Sequence, residues 1–221
     1  SKGYLTMLMG VLLVSQLLGM LVFGPIMTKT SKKATILIGA PIRIVCTLGL
    51  LAFSYEGAPI APILALSAGV GIGNAATLTS IFAILADMAD VDELITSVSR
   101  PGIVSGMATF ARKISAGLSA WVIGILISFA GYDASIAKAG LRQSLHTQNG
   151  IAMIFIFLPV ILVTLLLIFG YMFPITKKEF ELVHKEIARR KGEDDSVATE
   201  EEKKVLKRVT GIEYEQLWGN K

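Results

Sequence analysis

Acidic residues are almost missing from the first 175 of the 221 positions. There are six, and among the first 86 residues Glu56 stands alone. Cysteine is scarcer still. The single Cys46, inside an apolar run, excludes an intrachain disulfide framework and a cysteine metal site. Charged residues make up 17 % of the chain, against about 25 % in soluble domains. What charge exists is concentrated at one end: 11 of the 21 Lys+Arg and 11 of the 17 Asp+Glu fall after residue 175. Hydrophobic residues make up 53 %, and the mean hydropathy is +0.65. A long, nearly uncharged body with a short, highly charged tail is not a soluble globular domain. It reads as a multi-span membrane protein with an aqueous tail. The net charge of +4 does not point to nucleic acid, because the tail is neutral overall and the body's excess lies in short loops.

A bilayer core needs about 20 apolar residues in a helix. Five stretches qualify: residues 4–27, 35–55, 60–86, 101–130 and 151–174. The reading is an all-α polytopic membrane domain over residues 1–175, followed by a helical tail over 176–221. Lys29, Lys32, Lys33, Arg100 and the basic residues from Lys177 onward fall on one side, and Lys2, Lys138 and Arg142 on the other. This asymmetry places the tail and the 28–33 and 87–100 loops in the cytoplasm of a multi-pass inner-membrane protein. In the tail, Thr176 caps a first helix with Phe180, Val183 and Ile187 on one stripe. Thr199 and Glu202 form the capping box of a second, which Gly211 stops. The tail reads as a solvated appendage. The two histidines, His146 and His184, fall on opposite sides of the membrane, so they share neither a metal nor a proton relay. Gly69-Val-Gly-Ile-Gly73 mimics a dinucleotide loop but lies inside a span, where small residues serve close helix packing.

Charges at membrane depth are the informative residues, since each costs at least a few kcal/mol at mid-bilayer, about 3 kcal/mol by insertion scales. Lys113 lies twelve residues into its span, ~18 Å deep at ~1.5 Å per residue. It is expected to face the bundle interior and a carboxylate or wet cavity, the alternative being a structural ion pair. Arg112 points ~100° away from it. Arg43 is equally suited to a cavity and to bonding backbone carbonyls between helices. Asn74, Thr77 and Ser80, at offsets of three and four with Gly73 and Asp87, share one face of the third span. That face suits a hydroxyl-rich solute or helix–helix hydrogen bonds. At one membrane face, Asp87, Asp90 and Glu93 stand across from Lys32, Lys33 and Arg100. The cluster is expected to act as a latch that breaks and reforms as the bundle rocks, against static surface pairing.

Four motifs occur in order: Ala86-Asp-Met-Ala-Asp-Val-Asp-Glu-Leu94, Ser99-Arg-Pro-Gly-Ile-Val-Ser-Gly106, Thr109-Phe-Ala-Arg-Lys-Ile-Ser-Ala-Gly-Leu118 and Ser128-Phe-Ala-Gly-Tyr-Asp133. Together with the short basic loop 28–33 they resemble the glycoside–pentoside–hexuronide:cation symporters of the major facilitator superfamily. The resemblance runs from Tyr4 to about Ala188. Where many members carry a proline and an aromatic before the acidic run, this chain has Ile81-Phe82. The resemblance implies that the five spans are helices 8–12 of a twelve-helix fold. It also implies symport of a sugar, glycoside or hexuronide coupled to Na⁺ or H⁺, with no covalent cofactor. Lys113 would lie by the substrate or cation pathway, and the absent first seven helices would carry the cation carboxylates. Expected partners are the lipid bilayer, the sugar and those absent helices, not nucleic acid. The competing reading is a non-transporting structural or regulatory module acting through its tail. Loss of residues beyond about Arg190 would be tolerated by a transporter half but not by such a module. A membrane enzyme is opposed by the lack of a catalytic cluster.

Overall fold

The computed structural model describes residues 2–55, 57–172 and 176–219. Eight helices are found among them: α1 (Lys2–Lys29), α2 (Lys32–Gly49), α3 (Ile60–Thr96), α4 (Pro101–Phe129), α5 (Ala134–Lys138), α6 (Leu145–Met172), α7 (Lys177–Lys191) and α8 (Glu200–Thr210). Short 3-10 turns follow α2 at Leu50–Phe53 and α8 at Tyr214–Gln216. Five helices, α1, α2, α3, α4 and α6, are long and apolar enough to cross a bilayer. Phe173 and Pro174, the end of the fifth expected span, lie outside the described residues.

The helix ends follow local chemistry. Ser31 opens α2 by accepting a hydrogen bond from the Ala34 amide at 3.0 Å. Pro101 stands at the first position of α4, where its missing N–H is no loss. The helical 145–150 segment and α5 both fall where the sequence reads as a continuous loop. Asp133 caps α5 through the Ser135 amide at 2.7 Å. The largest departure is α3. The expected span stops at Ala86, whereas the helix runs ten residues further and ends only at Ser97 in the left-handed conformation (φ 61°). Its 37 residues span ~55 Å at ~1.5 Å each, far beyond a ~30 Å hydrocarbon core. The acidic run is therefore the projecting end of a helix and not a loop.

α3 is the centre of the bundle. It packs against α1 on one side and α2 on the other, while α2 also packs on α6. Small residues let the backbones meet. A Cβ on Gly73 would lie 2.7 Å from the Gly39 carbonyl oxygen and 2.8 Å from the Arg43 nitrogen. One on Gly71 would lie 2.6 Å from the Leu12 carbonyl oxygen of α1. α4 leans lightly on α3 and α6, and none of its residues is buried.

A second core forms beyond the spans. Val91 and Leu94 of α3 are buried together with Val183 and Ile187 of α7, Leu206 of α8 and Leu217. The Trp218 and Gly219 amides then donate to the Leu94 and Ile95 carbonyls, at 2.9 Å each, capping the end of α3. This corrects the picture of a solvated tail. The expected stripe of Phe180, Val183 and Ile187 exists, and its partner is the projecting end of α3.

Candidate functional site

At mid-depth the structure joins three helices through side chains. The Arg43 guanidinium of α2 donates to Asn74 Oδ1 of α3 at 2.9 Å. Asn74 Nδ2 donates in turn to Gln16 Oε1 of α1 at 3.0 Å. Thr77 and Ser80 belong to the same helix face but present no hydroxyl to a cavity. Both are buried, and they donate to the Gly73 and Ala76 carbonyls of their own helix at 3.0 and 2.9 Å. Of the two uses expected of that face, lining for a solute or hydrogen bonds between helices, these two hydroxyls serve neither, each bonding a carbonyl of its own helix. Gln16 was not singled out from the sequence. Its signal was an amide in the middle of an uncharged span, but its partner depends on which helices are neighbours.

Lys113 and Arg112 are both exposed on α4. Neither faces a bundle interior built by the described residues. The physical reason is the position of α4 at the rim, with open space around Gly102, Gly106, Gly117 and Gly124.

The ion pairs of the projecting end divide differently from the expected latch. Lys32, in the first turn of α2, pairs with Asp87 of α3 and also donates to the Ala83 carbonyl at 3.3 Å. Its ammonium sits 4.7 Å from the centre of the Phe180 ring of α7. Lys33 points elsewhere, over the Tyr171 ring of α6 at 5.2 Å. Arg100 holds neither Asp87, Asp90 nor Glu93. It grips Asp92 through two bonds, of 3.1 and 2.9 Å, folding the α3–α4 connection back on itself. Asp90 faces His184 at 3.5 Å and Glu93 pairs with Lys191 at 2.6 Å, so α7 supplies both partners. The Glu93 carboxylate raises the Lys191 pKa above its ordinary value, chiefly through that hydrogen bond. The sequence missed Asp92, His184 and Lys191 in these roles. It placed α7 in solvent and ended α3 too early, and both errors hide the same contact.

Within the tail, Glu186 is fully buried and fully engaged. It accepts from Arg189 at 3.2 Å, Arg190 at 2.9 Å and the Tyr214 hydroxyl at 2.7 Å. Burial, helped by the Glu186 carboxylate, raises the Tyr214 pKa. Among the described residues no group of three or more His, Cys, Asp or Glu is arranged to hold a metal ion.

Comparison with known proteins meets the family expectation drawn from the four motifs. The chain is 33 % identical over 125 residues to a putative sulfoquinovose importer of Escherichia coli (strain K12), covering 54 % of this chain and 24 % of that protein. It is 26 % identical over 184 residues to a glucuronide carrier protein homolog of the same organism, covering 81 % of this chain and 38 % of the relative. A putative sulfoquinovose importer of Salmonella typhimurium is 28 % identical over 133 residues, which cover 58 % of this chain and 26 % of that protein. The chain thus spans roughly a quarter to two fifths of the length of these relatives. No solved structure matches. The family model for MFS/sugar transport proteins, a family of transporters and not of enzymes, matches residues 1–177, and the chain belongs to that family.

Proposed function

We propose that the chain is the C-terminal part of a cation-coupled sugar symporter that works by alternating access in the inner membrane, with its tail in the cytoplasm. The observation that carries this is the distribution of charge over the five spans. Inter-helix ion pairs gather at one end, around Asp87, Asp90 and Glu93, while the mid-depth groups Arg43, Asn74 and Gln16 form a polar link among apolar helices. An end held by breakable ion pairs and a polar middle are what rocking around a central site requires. The names of the relatives add a substrate class, since the sulfoquinovose and glucuronide they mention are both sugars with an acidic group. The proposed substrate is accordingly an acidic sugar or glycoside, coupled to Na⁺ or H⁺. Lys113 lies on the substrate or cation pathway and finds its carboxylate in helices beyond this chain.

The test is cation-dependent uptake of a sugar acid and of its neutral counterpart by the longer transporter that this reading requires. Uptake of the acid driven by a Na⁺ or H⁺ gradient is the expected result. Uptake indifferent to both gradients would remove the coupling, and preference for the neutral sugar would remove the substrate class. Truncation after Arg190 no longer separates this reading from that of a tail-borne module. It removes Leu206 and Leu217 from a core shared with α3, and damages either kind of protein.

A further inference from the structure

A cavity of about 240 Å³ opens where α7 crosses the α1–α2 turn and the side of α3. Its volume is far above the ~10–15 Å³ that admits one water, so a polyatomic group fits. Its level is set by the helices: Met27 is in the last turn of α1, Lys32 in the first of α2, and Ile84 one turn before Asp87. The apolar stretches end here, at the boundary between hydrocarbon and water. The lining is mixed in a particular way. Met27, Ile84 and Phe180 give it an apolar wall, and beside that wall stand the Lys32 and Lys177 ammonium groups, the Asp87 carboxylate and the hydroxyl-bearing Thr28, Ser31 and Thr176. Lys32 is held by Asp87 and lies on the Phe180 ring. Lys177 reaches across to the Thr28 carbonyl at 3.1 Å. Glu181 and His184 close the far side, both exposed at the rim. A sugar calls for hydrogen-bonding groups on every wall. A free inorganic anion gains nothing from methionine, isoleucine and phenylalanine. An amphiphile with an anionic head uses both halves.

We propose that this cavity binds the phosphate headgroup of an acidic phospholipid of the adjoining leaflet, between Lys177 and Lys32, with the glycerol end of the lipid against Met27, Ile84 and Phe180. The bound lipid ties α7 to the α1–α2 turn, so it fastens the tail core to the membrane bundle. The site needs only that the chain spans a bilayer. It stands whether or not the transport reading does.

The full 221-residue chain is purified in detergent and titrated with phosphatidylglycerol, with phosphatidylcholine of the same acyl chains, and with inorganic phosphate. Native mass spectrometry counts retained lipid, and circular dichroism follows thermal unfolding. The expected result is one tightly held phosphatidylglycerol per chain and a raised midpoint with that lipid alone. Lys177→Gln lowers retention about fivefold, the contribution of one lysine near an acidic headgroup. Lys178→Gln, next along the chain but outside the cavity, leaves retention near wild type. Lys32→Gln also releases Asp87 and can weaken the fold, so Lys177→Gln carries the decision. Equal retention of the two lipids overturns the proposal, as does an equal loss in Lys177→Gln and Lys178→Gln, which would mean diffuse surface attraction. Stabilisation by inorganic phosphate equal to that by the lipid would assign the cavity to a free anion and overturn the lipid site.

Discussion

Lys32 and Asp87 show how much a single pair carries at the end of a bundle. Asp87 keeps 11 % of its side-chain surface exposed and Lys32 keeps 30 %. Removing one partner of a fully buried pair destabilises by about 3–5 kcal/mol. With a half-open lysine, Lys32→Gln should lower stability by roughly 1–3 kcal/mol, because it leaves a carboxylate between α2 and α3 without its ammonium. Asp87→Asn on the Lys32→Gln background should restore most of that loss, and a double-mutant cycle of thermal unfolding in detergent measures the coupling. Restoration would be absent if the pair were mere surface decoration. Gly73 is a second test at this scale. A methyl there meets the Gly39 oxygen and the Arg43 nitrogen, both backbone atoms that cannot swing aside. Gly73→Ala should therefore destabilise, by about 1–3 kcal/mol as overpacking does. Gly102→Ala, in open space on α4, should be near neutral in the same assay. Residue types at membrane depth were legible in the sequence, since a Gly, an Asn or an Arg inside an apolar run announces itself. Their partners were not. Asn74 meets Arg43 and Gln16 only because α3 happens to lie between α2 and α1, and no spacing within one helix carries that information.

The tail helices show where element-level reading succeeds. A capping box is a local signal, and Thr199 with Glu202 makes both of its bonds: the Thr199 amide reaches the Glu202 carboxylate at 3.0 Å, and the Glu202 amide reaches the Thr199 hydroxyl at 3.3 Å. The first of these is the main reason that the Glu202 pKa falls from 4.5 to about 2, with Arg189 and Lys185 adding to it. A carboxyl depressed on folding contributes stability that is present above its unfolded value and lost as pH falls through the folded one. Tail stability should hold above about pH 5 and decline from pH 4.5 toward 2. Glu202→Gln should flatten that acid limb, read by Trp fluorescence of the tail core. Leu206→Ala tests the other half of the element's design. Leu206 is wholly buried between α8, α7 and the end of α3, and such truncations cost about 2–5 kcal/mol. That α3 and the tail share this core was not legible in the sequence. Four carboxylates within seven residues make the acidic run look like a solvent loop, yet Val91 and Leu94, three apart, put one apolar stripe on a helix that simply continues.

At the scale of the whole molecule the difficulty is α4. Five antiparallel spans are a fold that hydropathy alone lays out, and the lateral order follows from the small residues of α3. α4 is different: a helix of membrane length with no buried residue, carrying Arg112 and Lys113 and no acidic residue. Lys113 lies ~18 Å along it, near the middle of a ~30 Å core. A lysine there, on a helix face open to lipid, costs about 3 kcal/mol on insertion scales. Two environments resolve this cost in opposite directions. In the isolated chain the charge has only lipid or a water defect beside it, so Lys113→Leu should stabilise the chain in lipid nanodiscs by up to about 3 kcal/mol. In the longer transporter, under the proposed function, the ammonium faces a carboxylate on the coupling pathway. There the same substitution should abolish cation-driven accumulation while membrane levels stay near wild type. Lys113→Arg should restore uptake only in part, since a planar fork replaces a compact point charge. Arg112→Leu, about 100° round the helix, should be milder in uptake. The pair of measurements is thermal unfolding of the chain in nanodiscs and gradient-driven uptake by the longer protein, each for the same variants. Loss of stability in both settings would make Lys113 a packing residue. Wild-type accumulation by Lys113→Leu would take it out of the transport mechanism, and only the opposite signs expected here place it between a membrane that resists its charge and a partner that requires it.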